Sequence, residues 1–208
     1  MPLLKQWNPG SHARAAIWKV EEPEAFFREQ TGIETKINND IRRMEHLAGR
    51  FLLQHLQADF PLKEILIDEH DKPYLDGNEW YFSISHSWPY IAAVIDPIEE
   101  TGIDIQTWNG KIERIKHKFL SEEEQEMLLH DQKYFTLAWC AKECAYKWHG
   151  KSGIAFIEEL PIAWFGRNLD INIYFKLNKV PQMIFTKSFI TDDFACTYIE
   201  NVQDWAIY

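Results

Sequence analysis

Apolar and polar positions along the chain alternate in two distinct rhythms. Period-two or continuous apolar runs at Ala15 to Val20, Ile65 to Ile67, Tyr81 to Ser85 and Ile91 to Ile95 predict strands. Pro23 to Gln30 reads as a short helix or turn. Lys36 to Leu56, with Leu47, Phe51 and Leu52 on one stripe, reads as a long amphipathic helix. After the acidic, proline-bearing stretch Asp96 to Glu100, a poor strand interior, the pattern restarts. Thr101 to Gln106 predicts a strand and Ile112 to Lys118 a helix. Ser121 with Glu124 three residues on is a capping box that opens a further short helix. Gln132 to Trp148 predicts a long helix stopped by Gly150, and strands follow at Ile171 to Leu177, Met183 to Ser188 and Phe194 to Ile199. The expected class is α+β, in two lobes covering residues 1–100 and 101–208.

Candidate chemistry sits in the second half. In GIDIQ, Gly102 to Gln106, a period of two sends Ile103 and Ile105 into the core and sets Asp104 and Gln106 together, two oxygen donors of the kind a hard cation takes. Alone, Asp104 is equally a turn or strand-edge carboxylate. In WCAKECAYK, Trp139 to Lys147, Glu143 and Lys147 are four apart on one helical face with Lys142 beside them, which by itself is an ordinary Glu–Lys surface pair. Upstream, Arg42, Arg43 and Arg50 form a basic cluster in the long helix. The seven-residue spacing of Arg43 and Arg50 suits a phosphate and suits a solvated helix surface as well.

The series EHDKPYL (Glu69 to Leu75), FSISHSWPYIAAV (Phe82 to Val94), GIDIQ, FLSEEE (from Phe119) and WCAKECAYKWHG (Trp139 to Gly150) resembles the 4'-phosphopantetheinyl transferase superfamily. The likeness is to its longer, two-lobed, surfactin-synthetase-activating type, which serves peptide and polyketide synthases, siderophore pathways or fatty-acid carrier proteins. The motifs span about residues 40 to 150. The resemblance implies two similar α+β lobes related by an internal pseudo-two-fold with the site in the cleft, although the sequence itself carries no repeat between them. It implies coenzyme A as donor, a serine of an apo acyl or peptidyl carrier protein as acceptor, and adenosine 3',5'-bisphosphate as product.

By the same resemblance, Asp104 and Glu143 would hold Mg²⁺ against the pyrophosphate, Glu143 would take the serine proton, and Lys147 would neutralise charge at the transferred phosphate. Lys142 would contact the donor. Gln106 stands where many two-lobed members carry Glu, so it offers the metal one neutral oxygen and no charge. Ser85 and His86 match the position at which the family holds the CoA 3'-phosphate. Lys72 matches the lysine of a GKP-like motif, with Asp71 in place of the glycine, although DKP is also a plain turn signal. Arg43 and Arg50 are further phosphate candidates.

With 208 residues, 46% hydrophobic, nine tryptophans and thirteen phenylalanines, the chain has material for a packed core. No apolar run is long enough to span a bilayer, and the N-terminus lacks a basic region followed by an apolar one, so a cytoplasmic enzyme without a membrane partner is expected. The cysteines Cys140, Cys144 and Cys196 form no Cys-x-x-Cys pair and read as core. A net charge of −10 argues against nucleic acid. It also requires local positive charge to meet acidic carriers, and Lys111, Arg114, Lys116 and Lys118 are the obvious patch. A monomer is expected. A different Mg²⁺-dependent phosphotransferase or hydrolase could use Asp104 and Glu143, but the chain has no Gly-rich G-x-x-x-x-G-K-[ST] loop to cradle a nucleotide triphosphate. A non-catalytic CoA- or carrier-binding module of the same fold is the main alternative, and it predicts CoA binding without Mg²⁺-dependent turnover.

Overall fold

The chain divides into two compact units, one running through Thr101 and the other from Gly102 onward. A computed structural model describes residues 2–77 and 79–205. Every strand pair in it is antiparallel, and helices pack on the sheets, an α+β architecture.

The first unit begins with β1 (Leu3–Trp7) and β2 (Arg14–Lys19), followed by α1 (Glu24–Thr31) and α2 (Asp40–Leu56). The hairpin β3 (Leu66–Ile67) and β4 (Pro73–Tyr74) precedes β5 (Tyr81–Ser87) and β6 (Tyr90–Asp96). The main sheet has the order β1-β2-β6-β5. Against it α2 buries Leu47, Ala48, Leu52 and Leu53, all fully enclosed. Packing of that stripe, rather than propensity, is what holds a 17-residue helix in place. The expected start at Lys36 gives way to Asp40 because Asn39 caps the helix, its side chain accepting from the Arg42 N–H at 3.0 Å. Gly49 lets α2 approach the sheet: a Cβ there would lie 3.1 Å from Cγ2 of Ile84 on β5. Beyond β6, Asp96 Oδ1 accepts from the N–H groups of Ile98 and Glu99, turning the chain before the second unit.

The second unit comprises β7 (Ile103–Thr107), α3 (Lys111–Ile115), α4 (Glu122–Met127), α5 (Gln132–His149), α6 (Phe156–Glu159), β8 (Ile162–Phe165), β9 (Ile171–Phe175), β10 (Gln182–Ile190) and β11 (Phe194–Asp204). Its sheet order is β7-β11-β10-β9-β8. Both units therefore set a long helix on an antiparallel sheet, but with four strands in one main sheet and five in the other. The helix expected over Ile112 to Lys118 is α only to Ile115, and Lys116–Lys118 tighten into a 3₁₀ turn. Three strands carry no clear sequence signal. β1 is exposed along its middle, β4 is only two residues long, and β8 leaves Ala163 and Trp164 in solvent.

The capping box at Ser121 forms as expected. Ser121 Oγ accepts from the Glu124 N–H at 3.2 Å, and the Ser121 N–H donates to Glu124 Oε2 at 3.0 Å. Glu124 is nearly enclosed and also receives the Ile162 N–H. α5 buries Leu137, Ala138, Ala141, Cys144 and Ala145 against the sheet. It ends at Gly150, whose φ of +76° only glycine adopts without strain. Among the described residues no helix is long and apolar enough to cross a membrane.

Candidate functional site

Asp104 is 2% exposed on β7, facing α5, while Ile103 and Ile105 are buried on the opposite face. That inward aim depends on Gly102. A Cβ at Gly102 would fall 2.4 Å from the Cys144 carbonyl oxygen of α5, so only glycine lets the strand lie this close to the helix. Asp104 is therefore a buried carboxylate beneath the helix rather than a strand-edge group.

Two turns of α5 supply its surroundings. Lys147 Nζ donates to Asp104 Oδ1 at 2.7 Å and to the Ile103 carbonyl at 3.0 Å. The lysine is partly exposed whereas the aspartate is not. Burial pulls the Lys147 ammonium down, but Asp104 and then Glu143 outweigh it and hold it above its ordinary value. Glu143, one turn earlier on the same face, is pushed up to about 7, first by burial and then by the charge of Asp104, with Lys147 opposing. Gln106 donates its Nε2 hydrogen to Asp104 Oδ2 at 3.1 Å, which leaves its carbonyl as the end open to a cation or a water.

Among the described residues no group of three or more His, Cys, Asp or Glu is arranged to hold a metal ion. The donor set at this position is two carboxylates. Their chemistry fits a hard divalent cation: burial and then the charge of Asp104 raise the Glu143 carboxyl, and a cation beside both would offset the repulsion between the two acids. Asp104 and Glu143 would hold it, with Gln106 able to add a neutral oxygen or orient a water.

Lys142 departs from its expected role. It is fully buried, and its Nζ donates to both oxygens of Glu124 (2.8 and 2.9 Å), to the Phe119 carbonyl (2.7 Å) and to the Phe156 carbonyl (3.1 Å). With 100° per residue, the helix that aims Glu143 at Asp104 turns its neighbour into the core. Lys142 is a fastener between α5, α4 and the chain leading to β8. The three cysteines are buried as expected. Burial, then the nearby charge of Asp104, pushes the thiols of Cys140 and Cys144 up, so they stay neutral.

The first unit sorts its candidates in the same way. His86 is exposed on β5, whereas Ser85, one residue earlier, turns to the other face and is buried. His86 Nδ1 lies 3.1 Å from Oε2 of Glu45 on α2. Lys72 Nζ pairs with Glu100 at 2.8 Å beside Pro73, Tyr74 and Trp80. Asp71, where the resemblance expects glycine, has a φ of +64°. The backbone there is of the kind glycine adopts freely and aspartate tolerates.

Arg43 is committed to structure. Its Nε donates to Glu24, Nη2 to Asp40, and Nη1 to the carbonyls of Ile37 and Asn38, tying the start of α2 to α1. Arg50 instead lines a cleft of about 380 Å³ with His46, Lys63, Leu62, Ile65 and Ile67. Burial lowers its guanidinium, which nonetheless stays charged. His46 is pushed down to about 4 by burial and then by Arg50, so it is neutral there. Glu45, His46 and Lys63 escape sequence reasoning. The available signal is spacing, since Glu45 precedes Gly49 by one turn and His46 precedes Arg50 by one turn.

The patch Lys111, Arg114, Lys116 and Lys118 lies on α3 and the turn after it. Lys111, Arg114 and Lys118 are exposed. Lys116 is half-buried, pairs with Glu113 at 2.6 Å and sits over the Phe135 ring.

Residues 100–199 match the family model described as the 4'-phosphopantetheinyl transferase superfamily. The match spans Asp104, Gln106, Glu143 and Lys147. The chain is also similar to the 4'-phosphopantetheinyl transferase AcpT of Salmonella typhi, with 31% identity over 123 residues, covering 54% of this chain. It spans 62% of the length of that relative.

Proposed function

We propose that this chain transfers the 4'-phosphopantetheine group of coenzyme A to a serine hydroxyl of an apo acyl or peptidyl carrier protein, as an enzyme of the longer, two-lobed type. The observation that carries the reading is the set Asp104, Glu143 and Lys147: a buried carboxylate, a carboxyl poised near neutrality and a lysine held charged, inside the segment that matches the superfamily.

The serine oxygen forms a new bond to the phosphorus that carries the pantetheine arm. The bond from that phosphorus to the bridging oxygen breaks, and adenosine 3',5'-bisphosphate leaves. Glu143 accepts the serine proton. In the metal-free site burial and the charge of Asp104 raise this carboxyl to about 7, and a cation bound beside it would lower that value and keep it ionised as the proton acceptor. Lys147 offers its ammonium to the oxygens on which charge collects, and Asp104 keeps it oriented through their 2.7 Å bond. Mg²⁺ bound by Asp104 and Glu143 would supply further positive charge at the pyrophosphate.

In the first unit, His86, Lys72 and Arg50 remain as donor-binding residues. Lys142 and Arg43 are weaker candidates for that role because each makes four hydrogen bonds within the protein, and Ser85 because its side chain is buried. Intact-mass analysis of apo carrier proteins incubated with the chain and coenzyme A tests the reading. A phosphopantetheine adduct that depends on Mg²⁺ is the expected outcome. Coenzyme A binding without an adduct on any competent carrier would leave a binding module in place of an enzyme.

A further inference from the structure

The ion pair between Glu45 of α2 and His86, an exposed residue of β5, has a geometry of its own. Helix and strand repeats coincide here: Gly49 and Glu45 are one helical turn apart, and Ile84 and His86 are two strand residues apart on one face. Because Gly49 brings the helix down onto Ile84, Glu45 comes down beside His86, with Oε2 at 3.1 Å from Nδ1. The Glu45 side chain is 9% exposed and that of His86 is 53% exposed. A buried acid thus sits against Nδ1 of a ring that is itself about half exposed.

We propose that Glu45 is a positioning residue for the donor's 3'-phosphate, acting through His86. This rests on the reading of the chain as a coenzyme A-dependent transferase. A ring pinned at Nδ1 loses its rotational freedom before the ligand arrives, which lowers the ordering cost of binding. In the charged ring, Nδ1–H donates to Glu45 and Nε2–H is left to donate to a phosphate oxygen, a charge-assisted bond. Glu45 alone would repel the phosphate. The histidine between them converts that repulsion into alignment.

The test joins a ligand-free measurement with a comparison of two donors. In the free protein, ¹⁵N spectra of the His86 ring should report a hydrogen-bonded Nδ1–H that is lost in Glu45→Ala. An unchanged ring signal overturns the proposal whatever the protein does with coenzyme A. In turnover, Glu45→Ala should raise KM for coenzyme A about tenfold, the worth of one charge-assisted hydrogen bond, and leave kcat within about twofold. Glu45→Gln, which keeps an oxygen for Nδ1–H, should recover part of the loss. With 3'-dephospho-coenzyme A as donor the variant and the parent should match. An equal loss with both donors, or a loss in kcat, would overturn the proposal, with thermal unfolding of the variant identifying a folding defect as the cause. The same ratios are read as Kd by calorimetry. If the parent turns over no carrier yet binds coenzyme A with this preference, the transferase reading fails and the role of Glu45 stands. A parent that binds neither donor removes both.

Discussion

Glu143 concentrates the chemistry of the second unit on a single proton. Its ordinary value of 4.5 rises to about 7 in the fold, through burial and then Asp104. Between those values the folded chain keeps a proton that the unfolded chain has released, so stability falls as pH rises from about 4.5 to 7 and levels off above. Without metal, Glu143→Gln removes that loss. Its Tm should equal the parent's at about pH 4, below the unfolded value, and exceed it by a few degrees at pH 8, as read by calorimetry in chelator. Adding Mg²⁺ at pH 8 should raise the parent's Tm and leave the variant's unchanged. Transfer by Glu143→Ala should fall to near background in the intact-mass assay, whereas Gln106→Ala should lose less, since it removes no charge. Asp104, Glu143, Lys147 and His86 stand out in the sequence only through the motifs that carry the resemblance, because spacing alone also reads them as a strand-edge carboxylate, a surface ion pair and a structural histidine. The burial of Ser85 and Lys142 was not legible, because a motif marks a segment and only the strand or helix phase decides which neighbour faces out. Asp71 shows the reverse: its positive φ is what a glycine in the GKP-like motif would have announced.

At the scale of elements, the second unit depends on two close fits around α5. Gly102→Ala would drive a methyl group into the Cys144 carbonyl. β7 would have to move, and Asp104 with it, so transfer should drop by at least about tenfold with a clear loss of stability, checked by kinetics alongside urea unfolding. Lys142→Met would strand the Glu124 carboxylate in the interior, costing about 3–5 kcal/mol in the same unfolding experiment. Both follow from contacts between segments far apart in sequence, such as Lys142 with Phe119 and Glu124. Long, strongly patterned elements such as α2, α5, β5, β6, β10 and β11 could be read directly, with errors mainly at their ends. β1 and β8 could not, because their exposed positions blunt the apolar signal on which such readings rely.

For the molecule as a whole, charge poses the sharper question, since an acidic chain at −10 is proposed to meet acidic partners. Lys111, Arg114 and Lys118 project into solvent, while Lys116 is held by Glu113 and Phe135. Arg114→Glu with Lys118→Glu should therefore raise KM for the carrier several-fold with kcat little changed, an effect that shrinks as salt is added. Lys116→Glu alone should cost stability more than carrier affinity. The buried thiols carry a different consequence. Cys140, Cys144 and Cys196 are all the cysteines the chain has, and all belong to the second unit. A thiol-reactive dye added to the native protein is therefore a stopwatch for the opening of that unit alone. A cysteine engineered into β6 would time the first unit in the same tube, and the two clocks would tell whether the halves come apart together or in turn.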